Sequence, residues 1–214
     1  MRFWRQLRIL AVALLVLAPN PAAAQSFELL LKAVERGDTA AVGALLDQGL
    51  DPNTADPEGN TILMTASRFG HRDLAEFLIK RKASVTRRSP HGDTALMFAS
   101  LKGQLAIARL LIENGAAVNQ GGWTPLHYAT FEGHTEVVKY LLEKGADKNG
   151  LAPNGYTPLM LAARGSHIGV ATVLLYDDVD LYVRGPKGET ALSIAKERNN
   201  TELQALLRRA GAIN

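Results

Sequence analysis

The 214-residue sequence predicts an all-α solenoid of about six stacked helix pairs, joined by β-hairpin or turn fingers. Three observations carry that expectation. One short pattern returns five times at nearly constant spacing. Apolar residues recur at helical period between its copies. Glycines and Asn/Asp-rich stretches punctuate each unit where a helix must stop.

The chain opens with MRFWRQLRILAVALLVLAPNPAAAQS. Arg2, Arg5 and Arg8 precede an apolar run over residues 9–18, and Ala22 and Ala24 make a small-x-small step before Gln25. That is the layout of a bacterial-type secretory signal peptide, residues 1–24. The run falls short of the roughly 20 apolar residues a spanning helix needs, and an uncleaved anchor is the competing reading. Cleavage after Ala24 removes three arginines and no acid. Basic residues fall from 24 to match the 21 acidic ones, and the formal +3 charge goes to zero.

A nucleic-acid binder normally carries a basic excess, and no nucleic-acid partner is expected here. The chain has no cysteine. That excludes disulfides, thiolate metal sites, a cysteine nucleophile and a lipidated cysteine anchor. Residues 25–214 contain no apolar stretch long enough to span a bilayer. The expected location is the periplasm, with no membrane contact after cleavage. Extracellular release and inner-membrane anchoring are the alternatives.

The repeating pattern reads GNTILMTASRFGH from Gly59, GDTALMFASLKGQ from Gly92, GWTPLHYATFEGH from Gly122, GYTPLMLAARGSH from Gly155 and GETALSIAKERNN from Gly188. Its threonines, Thr61, Thr94, Thr124, Thr157 and Thr190, are 33, 30, 33 and 33 residues apart. One period earlier, ELLLKAVERGD from Glu28 matches the helical part alone. The units are then about 26–56, 57–89, 90–119, 120–152, 153–185 and 186–214. Threonine suits a helix N-cap, and Pro125 and Pro158 follow it where a missing N–H costs nothing. Gly133 suits a left-handed helix end. A second helix follows, as in TEVVKYLLEKG, and a turn-rich stretch leads to the next threonine. One such pair cannot bury its own apolar face, whereas stacked pairs can.

Gly122, Thr124, Pro125, Leu126, His127 and Ala129, with Gly133 and His134, spell G-x-T-P-L-H-x-A and its continuation. In this the sequence resembles the ankyrin repeat over about 190 residues. The resemblance implies a curved stack of helix pairs whose groove and fingers bind other proteins. It also implies that His127 bonds locally and ties neighbouring turns. Met64, Met97, Met160 and Ser193 occupy the same column, which leaves that tie mostly absent, with methionine packing in its place.

Aligned copies test for catalysis directly. His71, His134 and His167 share one column at the start of the second helix, about 10 Å apart by general helix-layer spacing. Ligands of one metal ion sit about 2 Å from it, so these three cannot share one. There is no nucleophile elbow, phosphate loop or H-E-x-x-H, and Ser193 has no base in its own motif. The expectation is a non-enzymatic protein with no catalytic residue, no metal and no cofactor.

The candidate partner-binding residues come from variable columns. Trp123 and Tyr156 sit between the turn glycine and the threonine, a position that the resemblance places on the finger, facing the groove. Phe69, Leu101 and Phe131 follow the first helices, with Arg68, Lys102, Glu132 and Arg164 around them. Exposed aromatics amid mixed charge suit a binding hot spot. The alternative is that the rings pad seams between repeats. The 30-residue step shortens the finger before Trp123, which makes either a recognition notch or a neutral deletion. Lys82 and Ser166 stand where glycine is expected, and YDDVD lacks the usual Gly-Ala. Arg87 and Arg88 read as solvated.

The expected function is binding of a partner protein, by a chain expected to be a monomer. Alternatives are a secreted effector that binds a host protein, an inhibitor or immunity partner of an exported enzyme, and an accessory to oxidative-stress defence.

Overall fold

In the computed structural model, which describes residues 21–213, twelve α-helices follow one another, and no strand forms among the described residues. They pair as α1 (Pro21–Arg36) with α2 (Thr39–Asp47), α3 (Ile62–Phe69) with α4 (Arg72–Lys80), and α5 (Ala95–Leu101) with α6 (Leu105–Glu113). The second half repeats this with α7 (Pro125–Glu132) and α8 (Thr135–Glu143), α9 (Pro158–Gly165) and α10 (Ile168–Tyr176), and α11 (Ala191–Glu197) and α12 (Thr201–Arg209). The leader's arginines and apolar run lie outside the described residues. α1 runs without a break through the expected cleavage bond after Ala24. Its core residues, Leu30, Ala33 and Val34, all lie beyond Gln25.

The threonines act as the sequence expects. Each sits in extended backbone, and its hydroxyl accepts the amide of the third helical residue at 3.3 Å. This relieves one of the orphan donors of a helix start. The third residue bonds back in four of the five units. Met64 Sδ accepts from Thr61 N–H and Met97 Sδ from Thr94 N–H, both at 3.3 Å. His127 Nδ1 accepts from Thr124 N–H at 3.2 Å and Ser193 Oγ from Thr190 N–H at 2.8 Å. The methionine, histidine and serine of one column are therefore interchangeable acceptors in a reciprocal cap. The methionines bond here as well as pack.

First helices pack against first helices along the whole stack, and second helices against second helices. The first-helix row is the more closely packed of the two. Between the rows lie Leu63, Leu96, Leu126 and Leu159 from the first helices, and Leu78, Leu111, Leu141 and Leu174 from the second, each at most 1% exposed. Burying each such leucine contributes about 1.5–3 kcal/mol. The buried residues form two clusters, one in each half of the chain, and Ile112 packs against both at the α6–α8 seam.

Fingers two, three, five and six close with the same two backbone bonds, for instance Asp56 N–H to the Asn60 carbonyl and Gly59 N–H to the Asp56 carbonyl, both at 2.9 Å. A single bridge, Ala55 with Thr61, is as close as any finger comes to a strand pair among the described residues. The shortened finger, residues 118–123, has neither closing bond. Gln120 holds it instead. Its Nε2–H donates to Met97 Sδ at 3.0 Å, and its Oε1 accepts from Arg88 at 2.8 Å. Arg87 and Arg88 are both exposed, as expected, and Arg88 in addition holds Gln120. Lys82, Ser166 and Asp178 do take left-handed φ angles of 69°, 58° and 55°, at the junctions where glycine is missing.

Candidate partner-binding surface

Trp123 does not stand free on its finger. Its ring lies 5.4 Å from Tyr128, 6.2 Å from Phe131 and 5.9 Å from His127, centroid to centroid. The indole packs against rings of α7 in its own unit and stays half-buried. Phe131, at the end of α7, keeps 49% of its surface exposed. The structure thus joins Trp123 and Phe131 into one cluster and adds Tyr128, which sequence reasoning missed. The signal was in an unused column of the alignment, where Thr65, Phe98, Tyr128, Leu161 and Ile194 fall at one position of the repeat.

Tyr128 also crosses a seam. Its hydroxyl donates to Asp93 Oδ1 on the preceding finger at 3.0 Å. Burial first, then the Asp93 charge, pushes the phenol up to about 12. The ring is therefore neutral and fixed in orientation, as a contact platform requires.

Tyr156 stands one unit on, and no ring contact joins it to Trp123 among the described residues. Its hydroxyl donates to Glu189 Oε1 on the next finger at 2.7 Å, and the Arg164 guanidinium lies 5.7 Å from its ring centroid. The bond to Glu189 raises the phenol's pKa and lowers the carboxyl's. At the other end, Phe69 is 49% exposed, with Arg68 5.7 Å from its centroid and His71 stacked at 6.1 Å. Leu101 is half-buried, and Lys102 and Glu132 are exposed at the ends of α5 and α7. Six of the nine candidates therefore fall into three stations along the first-helix side: Arg68 and Phe69, Trp123 and Phe131, and Tyr156 and Arg164.

The histidines hold the scaffold. His71, His134 and His167 each donate from Nε2 to a carbonyl at the end of the preceding unit's first helix. The acceptors are Glu35 at 2.8 Å, Leu101 at 3.0 Å and Phe131 at 3.0 Å. Helix ends leave such carbonyls without partners. His127 is fully buried. Its Nδ1 accepts at Thr124, and its Nε2–H donates to the Gly150 carbonyl at 2.9 Å. Burial holds its pKa below the ordinary imidazole value. The inter-unit tie that seemed lost with the column of His127 is carried by the column of His71, His134 and His167. Ser193 spends its hydroxyl on the Thr190 backbone.

A row of helix pairs with side chains presented along one helix row and its fingers is the architecture of a repeat-type binding module. A family model described as ankyrin repeats (3 copies) matches residues 10–89, 30–121, 82–151 and 117–184, the first stretch beginning inside the expected leader. The chain belongs to the ankyrin-repeat family. It is similar to the ankyrin repeat domain of human ASB11, known from a crystal structure, with 28% identity and a TM-score of 0.81 over 86% of this chain and 84% of that one. No curated protein matches the sequence. Ankyrin repeats are protein–protein interaction modules, and the family is typically non-enzymatic. No helix among the described residues is long and apolar enough to cross a membrane.

Proposed function

We propose that this protein is exported to the periplasm and binds a partner protein there through the groove formed by its first helices and fingers, without catalysis. The aromatic cluster of Trp123, Tyr128 and Phe131 beside the shortened finger carries the reading. It is a set of rings held in place by internal contacts, with Phe131 half open to solvent. Preorganised rings lose little freedom on binding, which is what makes aromatic anchors effective hot spots. Export rests on the sequence pattern of residues 1–24. Cleavage there is compatible with the fold, since the first core residue of α1 is Leu30.

The test is capture from periplasmic extract with the chain from Gln25, beside a Phe131→Ala/Tyr156→Ala variant of unchanged circular dichroism. Retention of one protein by the first and its loss by the second supports groove binding. Equal retention by both moves the site off these rings. An intact mass of exported protein starting at Met1 overturns the cleaved, periplasmic reading.

A further inference from the structure

We propose that the cleft between the first helices of units one to three is a socket for a basic side chain, arginine or lysine, of the bound partner. This rests on the groove reading above and adds the chemistry of what enters it. The cleft has a volume of about 90 Å³ and is lined by Leu31, Glu35, Asp56, Thr65, Phe69 and Phe98, among others. Such a space suits one side chain rather than a whole ligand.

Its walls and its charge ask for different parts of the same group. Leu31, Phe69 and Phe98 offer apolar and ring surface to an aliphatic stem, and a cation is stabilised over an aromatic face. Glu35 and Asp56 offer negative charge. Asp56 accepts only the uncharged amide donors of Asn60, at 2.7 and 3.1 Å. Neither carboxylate forms an ion pair; the ion pairs among the described residues all join other groups. Arg68 borders the same cleft with its guanidinium 5.7 Å from the Phe69 centroid, and bridges neither acid. The chain's own arginine thus shows that this ring accepts a guanidinium, while neither carboxylate has a cationic partner.

The far end of the groove has the opposite character. Arg164, Lys187 and Arg198 border the cleft around Tyr156. Of the two acids there, Glu189 already accepts from the Tyr156 hydroxyl and the Lys187 amide. Coulomb attraction therefore draws a partner's cation to the Glu35–Asp56 end and away from the Arg164 end, which also sets the direction in which a segment lies.

The test is a titration of N-acetyl-arginine amide into the isotope-labelled chain from Gln25, followed by amide chemical shifts. N-acetyl-glutamine amide is the uncharged control. The expected result is saturable shifts around Leu31, Thr65 and Phe98 with the arginine probe alone. They should weaken roughly tenfold in Glu35→Gln/Asp56→Asn. Circular dichroism checks that variant's fold. If Asp56→Asn loosens the finger, Glu35→Gln alone serves, since Glu35 is exposed. Silence in the cleft, equal shifts from both probes, or shifts indifferent to Glu35→Gln overturn the proposal. If partner capture still depends on Phe131 while the cleft is silent, only this inference falls. If capture is indifferent to Phe131, Tyr156 and Glu35 alike, the groove reading falls.

Discussion

His134 and Gly103 interlock across two units. The His134 Nε2–H donates to the Leu101 carbonyl at 3.0 Å, and its ring covers Gly103 so closely that a Cβ added there would sit 2.6 Å from Nδ1. The pairing recurs as His71 over Gly37 and His167 over Gly133, and Gln104 takes the histidine's place over Gly70. The glycine ends one helix in left-handed backbone, and its missing side chain makes room for the ring that ties the next unit to it.

Replacing Gly103 by alanine therefore carries two costs, the φ of +67° and the collision with His134. Gly92→Ala carries the first alone, since its φ is +87° and nothing lies within 4 Å. Gly92→Ala is expected to cost about 1 kcal/mol, and Gly103→Ala clearly more, read from urea midpoints. Adding His134→Ala to Gly103→Ala should recover part of the difference. Strict additivity in that double-mutant cycle would refute the interlock.

Helix junctions without glycine predict the reverse effect. Lys82→Gly and Ser166→Gly place a residue free of Cβ strain at φ angles of 69° and 58°. Each is expected to raise stability by about 0.5–1 kcal/mol, the relief of strain being partly offset by greater unfolded-state freedom. A fall in the unfolding midpoint for both would show that these side chains contribute more than their strain costs.

His127 predicts an acid-sensitive fold. Burial depresses its pKa below the ordinary imidazole value of about 6.5, so the folded chain keeps the ring neutral while the unfolded chain protonates. Above pH 6.5 both states are neutral and stability is full. As the pH falls below that value only the unfolded state gains a proton, and stability declines until the depressed folded pKa is reached. His127→Met copies the residue of units two, three and five. It should lessen the loss of stability between pH 7.5 and 5.5, measured by thermal melts. An unchanged loss would move its origin to other groups.

Tyr128 predicts an effect at the alkaline end. Its pKa of about 12 lies above the ordinary 10. Its contribution is fully present below pH 10 and is lost as the pH rises through the folded value. Tyrosinate absorbance of the folded chain should show a late-ionising group among the five tyrosines. Tyr128→Phe should abolish that phase and cost about 1 kcal/mol at neutral pH for the lost bond to Asp93.

The helix caps were legible because they are written in neighbouring residues. Thr124 needs only the amide of His127, three positions away. Legibility failed where the alignment was read for one column and not the next, as with Tyr128. Nor was a long-range surface bond legible: Arg88 is exposed, as its basic pair suggests, and also bonds Gln120, which lies 32 positions on.

By itself the sequence determined the family, the number of units, the shortened finger and the left-handed junctions at Lys82 and Ser166. Each is a matter of spacing or of a local backbone preference. Only the tertiary structure decided that Trp123 lies against Tyr128 and Phe131, that Tyr128 reaches Asp93, and that the histidine tie runs through His71, His134 and His167. Those contacts depend on side-chain rotamers and on the stacking of one unit upon the next. Most of their partners stand about a full repeat away along the chain, at distances that become a few ångströms only when the units pack.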